Sequence, residues 1–181
     1  MKKHSTYLIA SERLGLRELS PAEATLRYVH WLNDAKVQLY TRRRGKKFSL
    51  KDVRDFIAST RQSPDRHFAV FIKDGEKHIG NIFIIAIDKE NKSAELSIMI
   101  GDRSVWGKGY ATEAIILATK LAFKVLKLHR LWAESAHPVF NAIMRKLNWV
   151  FEGRRRDAFR MPRGYRDVDC WSVLEAEIDS K

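Results

Sequence analysis

The chain has 181 residues, 45% hydrophobic and 31% charged, with 34 Lys and Arg against 22 Asp and Glu for a net charge of +12. That length and composition fit one folded domain, 1–181, and exclude a disordered chain. No run reaches the roughly 18 apolar residues of a membrane helix, and the start MKKHSTYLIASERLG is too short in apolar residues for a signal peptide. A single cysteine, Cys170, excludes an internal disulfide and fits a cytoplasmic protein, with the thiol simply buried.

Ser20-Pro21-Ala22-Glu23 has the form of a helix start, a serine cap with proline in the first turn and glutamate three residues on, and the helix is expected to reach about Leu32. The basic cluster RRRGKK (Arg42–Lys47) follows. Ser49 then caps a second helix running to about Arg61, closed before Pro64. The period changes in His67–Asp88, two β-rich runs around the hairpin signal Asp74-Gly75. AELSIMI (Ala94–Ile100) is a third strand. Tyr110–Val125 places Ala114, Leu117, Ala118, Leu121 and Val125 on one helical face. His129–Ala136 is a strand, Val139–Leu147 a short helix, and WVFEGRR and DCWSVLEAE are closing strands; Trp132, Trp149 and Trp171 sit at strand positions expected in the core. Arg154–Arg156, with Arg160, Arg163 and Arg166, form a second basic cluster. The pattern is that of a mixed α/β domain.

Between strand 94–100 and the helix lies RSVWGKGYATEAI (Arg103–Ile115). A first helical turn leaves about four N–H groups without partners, at the positive end of the helix dipole. Gly107 and Gly109 allow positive φ and close approach, and Lys108 adds charge, so the turn is suited to cradle a phosphate. It is neither a P-loop, since Gly109-Tyr110 follows Lys108, nor a dinucleotide fingerprint, since a third glycine is missing. Glu113, in the first turn, is a carboxylate the dipole favours, and Trp106 is placed to wall the loop.

Residues Ala94–Gly153 resemble the acyl-CoA-binding half of the GNAT superfamily of N-acetyltransferases, in its RimJ/RimL-like branch. WGKGYATEAI matches that branch's diphosphate loop nearly letter for letter. LHRLWAES, KLNWVFEGRRR and GYRDVDCWSVLEAE match its downstream elements, and YVHWLND (Tyr28–Asp34) its acceptor side. The resemblance implies a twisted, mostly antiparallel sheet of about six or seven strands with about four helices, splayed in the middle where the pantetheine arm of acetyl-CoA inserts like an extra strand. Residues 1–66 would be the acceptor-side segment and 67–181 the sheet and acyl-CoA half. Cofactor contacts would come from Ser97, Ile98, Met99 and Ile100 on the splayed strand, from Ser104, Val105, Trp106, Gly107, Lys108, Gly109, Tyr110 and Ala111 in the loop, and from His137, Phe140 and Asn141 downstream. The sequence departs from the pattern at several places. Ser104 takes the loop's usual Gln or Arg place, His137 takes a usual asparagine place, and Leu147-Asn148-Trp149 stands for the usual Leu-Gly-Phe. Phe140 and Met144 take the usual serine and tyrosine places, which leaves no evident hydroxyl to protonate the leaving thiolate.

Direct acyl transfer needs a deprotonated amine held in line with a thioester, and a main-chain N–H for the developing oxyanion. Glu95 is the first candidate base, since alternation sets Glu95, Ser97 and Met99 on one face of their strand. Glu134 is the second, and His137 is a base, a cofactor contact or a helix cap. His4, His30, His67, His78 and His129 show no metal spacing. Trp31, Tyr40, Arg42 and Arg43 lie in the acceptor-side stretch, whose arginines suit a negatively charged acceptor. A protein N-terminus near RNA phosphate or a nucleotide-linked amino sugar fits, and a polyamine fits poorly. The contrasting readings are a noncatalytic nucleic-acid binder, supported by charge alone, and a CoA-sensing domain without activity. Neither nucleic acid nor a membrane is required as partner, and the expected state is monomer or homodimer.

Overall fold

A computed structural model of the chain describes residues 7–178, so His4 lies outside the described residues. Strands β1 (Ile9–Ala10) and β2 (Leu14–Glu18) open the chain. Ser20 does cap a turn with a Glu23 capping box, but it is a single 3-10 turn over Pro21–Glu23. Ala24 leaves helical geometry and Thr25 caps afresh, its hydroxyl accepting from Tyr28 N–H, so α1 runs Leu26–Asn33. The helix expected from Ser20 therefore begins at the second of two competing caps, the one that precedes the amphipathic run. Asp34 caps a short α2 (Ala35–Gln38) directly after α1, and Ser49 with Asp52 forms the capping box of α3 (Leu50–Thr60).

β3 (Arg66–Ile72) and β4 (Lys77–Asp88) form the expected hairpin, with Gly75 at φ 72° in the turn. β5 (Ser93–Ile100), α4 (Tyr110–Lys124), β6 (Arg130–Ser135), α5 (Pro138–Lys146), β7 (Val150–Arg160) and β8 (Tyr165–Leu174) complete the order. Asn148, where the family pattern has glycine, takes φ 56° just past α5, a left-handed position that asparagine tolerates.

The described residues form one sheet of eight strands in the order β1-β2-β3-β4-β5-β6-β8-β7. All neighbours are antiparallel except β5 and β6. One face is covered by α4, whose Ala114, Ile115, Leu117, Ala118 and Leu121 pack with Ala94 and Leu96 of β5 and Leu131 and Ala133 of β6. The other is covered by α1 and α3, through Tyr28, Trp31, Val53 and Ile57 against Ala69 and Phe71 of β3. Val125 is not on the buried stripe: α4 stops one residue short of it, and it is 54% exposed as the C-cap. Trp149 and Trp171 are in the core, while Trp132 is only half-buried, on the opposite face of β6 from Leu131 and Ala133. Cys170 is likewise half-buried rather than buried, because alternation with core Trp171 turns it to the other face of β8. Among the described residues no helix is long and apolar enough to cross a membrane.

Gly80 of β4 lies against β5 so closely that a Cβ would sit 2.2 Å from the Met99 carbonyl oxygen. Gly80→Ala is expected to cost about 1–3 kcal/mol, the usual range for overpacking, read as a lower urea midpoint.

Candidate active site

The site follows from how β5 ends. β5 and β6 run parallel and pair only at Ser93 with Arg130, Ala94 with Leu131 and Glu95 with Trp132; beyond that β5 continues to Ile100 without β6 beside it. Gly101 N–H donates to the Ile79 carbonyl of β4 at 3.0 Å. Main-chain groups alternate along a strand, so Met99 and Ser97 also turn theirs to β4, and Ile98 and Ile100 turn theirs into the gap. The Trp106 indole N–H, which donates to Ile100 O at 2.8 Å, approaches from that side. Of the four β5 residues predicted to meet a cofactor, Ile98 and Ile100 thus offer main-chain groups. The amides of Ser97 and Met99 are committed to the ladder.

At the end of the gap, Gly107 and Gly109 take φ 75° and 81°, and Gly109 is the N-cap of α4. The first helical bond runs from Glu113 N–H to Gly109 O at 3.1 Å, which leaves the N–H groups of Tyr110, Ala111 and Thr112 without helical acceptors. Nothing lies within 4 Å of where a Gly107 Cβ would be. Trp106, Gly107, Lys108 and Gly109 are exposed, Tyr110 and Ala111 half-buried, and Val105 buries its side chain in the core. Ser104 is occupied locally: its hydroxyl donates to Asp102 at 2.6 Å and Lys77 reaches it at 3.3 Å.

On the face of the sheet away from α4, Glu95 and Glu134 stand on either side of the parting strands. Burial pushes the Glu95 carboxyl up from its ordinary value, the Glu134 charge pushes it further, and Arg42 and Arg155 pull it back. Glu134 is itself held by Arg155 and by Arg42, the latter at 3.4 Å. His137 caps α5, its Nδ1 accepting from Val139 N–H at 3.1 Å, and its ring lies 4.4 Å from that of Tyr40. Burial lowers its pKa.

Several predicted residues are engaged elsewhere. Asn141 is buried, donating to Asp169 at 3.1 Å and Ser135 O at 3.2 Å and accepting from the Trp171 indole at 3.2 Å, so its amide is tied into the α5–β8 packing rather than free for a cofactor. Trp31 is buried against Gly101, where a Cβ would meet its ring at 2.2 Å. Phe140 packs against the core, and Met144 is fully buried. Arg43 lies over the Phe56 ring at 5.2 Å. Arg155 and Arg13 were not among the predicted site residues. Arg155 stood in a cluster read only as charge, and Arg13 lies nearly a hundred positions from the loop it touches. Among the described residues no three His, Cys, Asp or Glu side chains group as metal ligands.

A family model for the acetyltransferase (GNAT) domain matches residues 13–147. The chain belongs to that family. This acetyltransferase is 28% identical over 174 residues to the N-acetyltransferase p20 of Bacillus licheniformis, covering 92% of this chain and 96% of that one. It is 33% identical over 157 residues to the spermidine N(1)-acetyltransferase of Escherichia coli, covering 83% and 82%. The structure of spermidine N-acetyltransferase from Vibrio cholerae in complex with CoA and spermine superposes with a TM-score of 0.83 at 23% identity, over 92% of this chain and 98% of that one. The enzyme is an N-acetyltransferase with the GNAT fold, and its sheet has one or two strands more than the resemblance implied.

If Asn141 serves packing, Asn141→Leu should cost about 1–3 kcal/mol of unfolding free energy by leaving the Trp171 indole unsatisfied, with the CoA dissociation constant within twofold of wild type. Denaturant unfolding and calorimetry measure the two effects separately.

Proposed function

We propose that the enzyme transfers the acetyl group of acetyl-CoA to a primary amine by direct attack within a ternary complex. The observation that carries this is the open glycine turn and α4 N-terminus set at the end of the gap left by β5 and β6. The N–H groups of residues 107–112 would hold the diphosphate, and the gap-facing groups of Ile98 and Ile100 the pantetheine arm. Acetyl-CoA supplies the thioester carbon that the amine attacks. Glu95, on the lip of the gap, takes the ammonium proton directly or through water, and the Ile98 N–H faces the charge that develops on the carbonyl oxygen. With Met144 buried where the family has a tyrosine, the thiolate leaves without a tyrosyl acid; a free thiol of pKa ~8.5 makes that tolerable.

The acceptor side supports an amine that also carries negative charge. Arg42, Arg43, Lys46 and Lys47 are exposed on the loop that enters the cleft, and Arg155 faces it from β7. Such an acceptor is a protein N-terminus set among phosphates or a nucleotide-linked amino sugar. A polyamine is the second reading, favoured by the 33% identity to a spermidine N(1)-acetyltransferase. The loop match WGKGYATEAI supports the RimJ/RimL-like branch, and a sheet continuous from β1 to β7 supports a single domain. We also infer a cytoplasmic enzyme from the lone cysteine, and a monomer or homodimer, although one Vibrio cholerae neighbour is described as dodecameric.

Kinetics with acetyl-CoA and three acceptors decide the substrate. A nucleotide-linked amino sugar or a peptide N-terminus should exceed spermidine in kcat/KM, and KM for the anionic acceptor should rise with salt; spermidine as best acceptor would replace this reading with the second. With any accepted amine, Glu95→Gln should lower kcat about 10²–10⁴-fold. Glu134→Gln removes a charge that raises the Glu95 pKa, so the acidic limb of the pH–rate profile should move to lower pH. Arg155→Gln removes one that lowers it, so the limb should move up. Limbs that stay in place in both variants would clear Glu95 of the role.

A further inference from the structure

The cofactor loop is fastened from outside by a turn at the start of the chain. Ser11 and Arg13 lie between β1 and β2, in a turn anchored by Ser11 N–H to Leu14 O at 2.9 Å, Lys73 N–H to Arg13 O at 2.9 Å and Lys73 Nζ to Ser11 O at 2.9 Å. From there the Arg13 side chain makes three kinds of contact with the loop. Its Nε and Nη2 donate to Glu113 Oε2 at 2.8 and 2.5 Å, its Nη1 donates to Lys108 O at 3.1 Å, and its guanidinium lies 4.6 Å over the Tyr110 ring. The Ser11 hydroxyl donates to the other Glu113 oxygen at 2.5 Å. Burial would raise the Glu113 carboxyl, but these donors outweigh it and hold it below the usual carboxylate range.

Two consequences follow from peptide geometry and charge. In a planar trans peptide the C=O of Lys108 and the N–H of Gly109 point in opposite directions. Drawing the carbonyl to Arg13 therefore aims the Gly109 N–H away from Arg13 and out of the loop. A carboxylate in the first turn of α4 is also a competitor: unpaired, Glu113 would repel a bound dianion and draw on the same positive helix end. Ser11 and Arg13 occupy both its oxygens and cancel its charge.

We propose that Arg13, with Ser11, is a positioning residue for the donor: acting through Lys108 O and Glu113, it sets the loop to receive the diphosphate. This rests on reading the loop as the diphosphate site. The charge-assisted fork specifies arginine, because lysine neutralises Glu113 yet cannot also reach Lys108 O in the same geometry.

The test is calorimetric titration of wild type, Arg13→Gln and Arg13→Lys with CoA and, separately, with pantetheine, which lacks the nucleotide diphosphate. Arg13→Gln should weaken CoA about tenfold or more while leaving pantetheine binding unchanged, and Arg13→Lys should fall between. The Gly109 amide resonance should shift on CoA addition in wild type and lose most of that shift in Arg13→Gln. Unchanged CoA affinity in Arg13→Gln, or an equal loss for CoA and pantetheine in both variants, would overturn the proposal. A wild type that binds CoA no more tightly than pantetheine would instead overturn the diphosphate reading beneath it.

Discussion

Two parallel strands that begin paired and then part are the constraint on which the site depends. β5 is paired with β4 continuously from Glu95 to Ile100, yet β6 accompanies it only as far as Glu95. A buried main-chain donor or acceptor left without a partner costs about 1–3 kcal/mol, so a polar ligand that pairs with the gap-facing groups of β5 as it excludes water from them would be favoured there. The helix packing preserves the seam: Leu96 and Ala133 bind both strands to α4 from below while their edges stay apart. The same divergence sets the geometry of the proposed reaction. Glu95 marks the last paired position and the glycine turn lies beyond Ile100, so in the proposed reaction a long, thin donor laid between them would present its acyl end to the carboxylate.

Opposing charges meet on the face of the sheet that carries Glu95 and Glu134. Two carboxylates near one another would by themselves invite a polycation, and burial together with the Glu134 charge raises the Glu95 pKa. Arg42 and Arg155 counter both effects, arriving from the loop after α2 and from β7 to grip Glu134. Arg44 ties the two walls together, donating to Leu39 O at 3.0 Å within its own loop and to Arg160 O at 2.6 Å in β7. The basic clusters that look separate in sequence are therefore one rim around the cleft.

What could be read from the chain was local. Alternation in AELSIMI placed Glu95 on the open face, glycine spacing located the turn, and Ser49 with Asp52 started α3 where expected. Tertiary competition decided the rest. Thr25 overruled Ser20 because the amphipathic run starts after it, and Asn141 was drawn into the Asp169 and Trp171 network, a partnership no spacing reveals. The packing of Trp31 over Gly101 is likewise invisible in the spacing. Which β5 amides are free also escaped the sequence, since that depends on the register with β4.

Amide hydrogen exchange resolved by residue, with and without saturating acetyl-CoA, tests the central claim most directly. In the free protein Ser97 and Met99 should exchange slowly and Ile98 and Ile100 fast, and acetyl-CoA should slow Ile98, Ile100 and Gly109 together. Slow exchange at Ile98 and Ile100 before any ligand is added, or no change there once acetyl-CoA is bound, would contradict a donor seated between the parted strands.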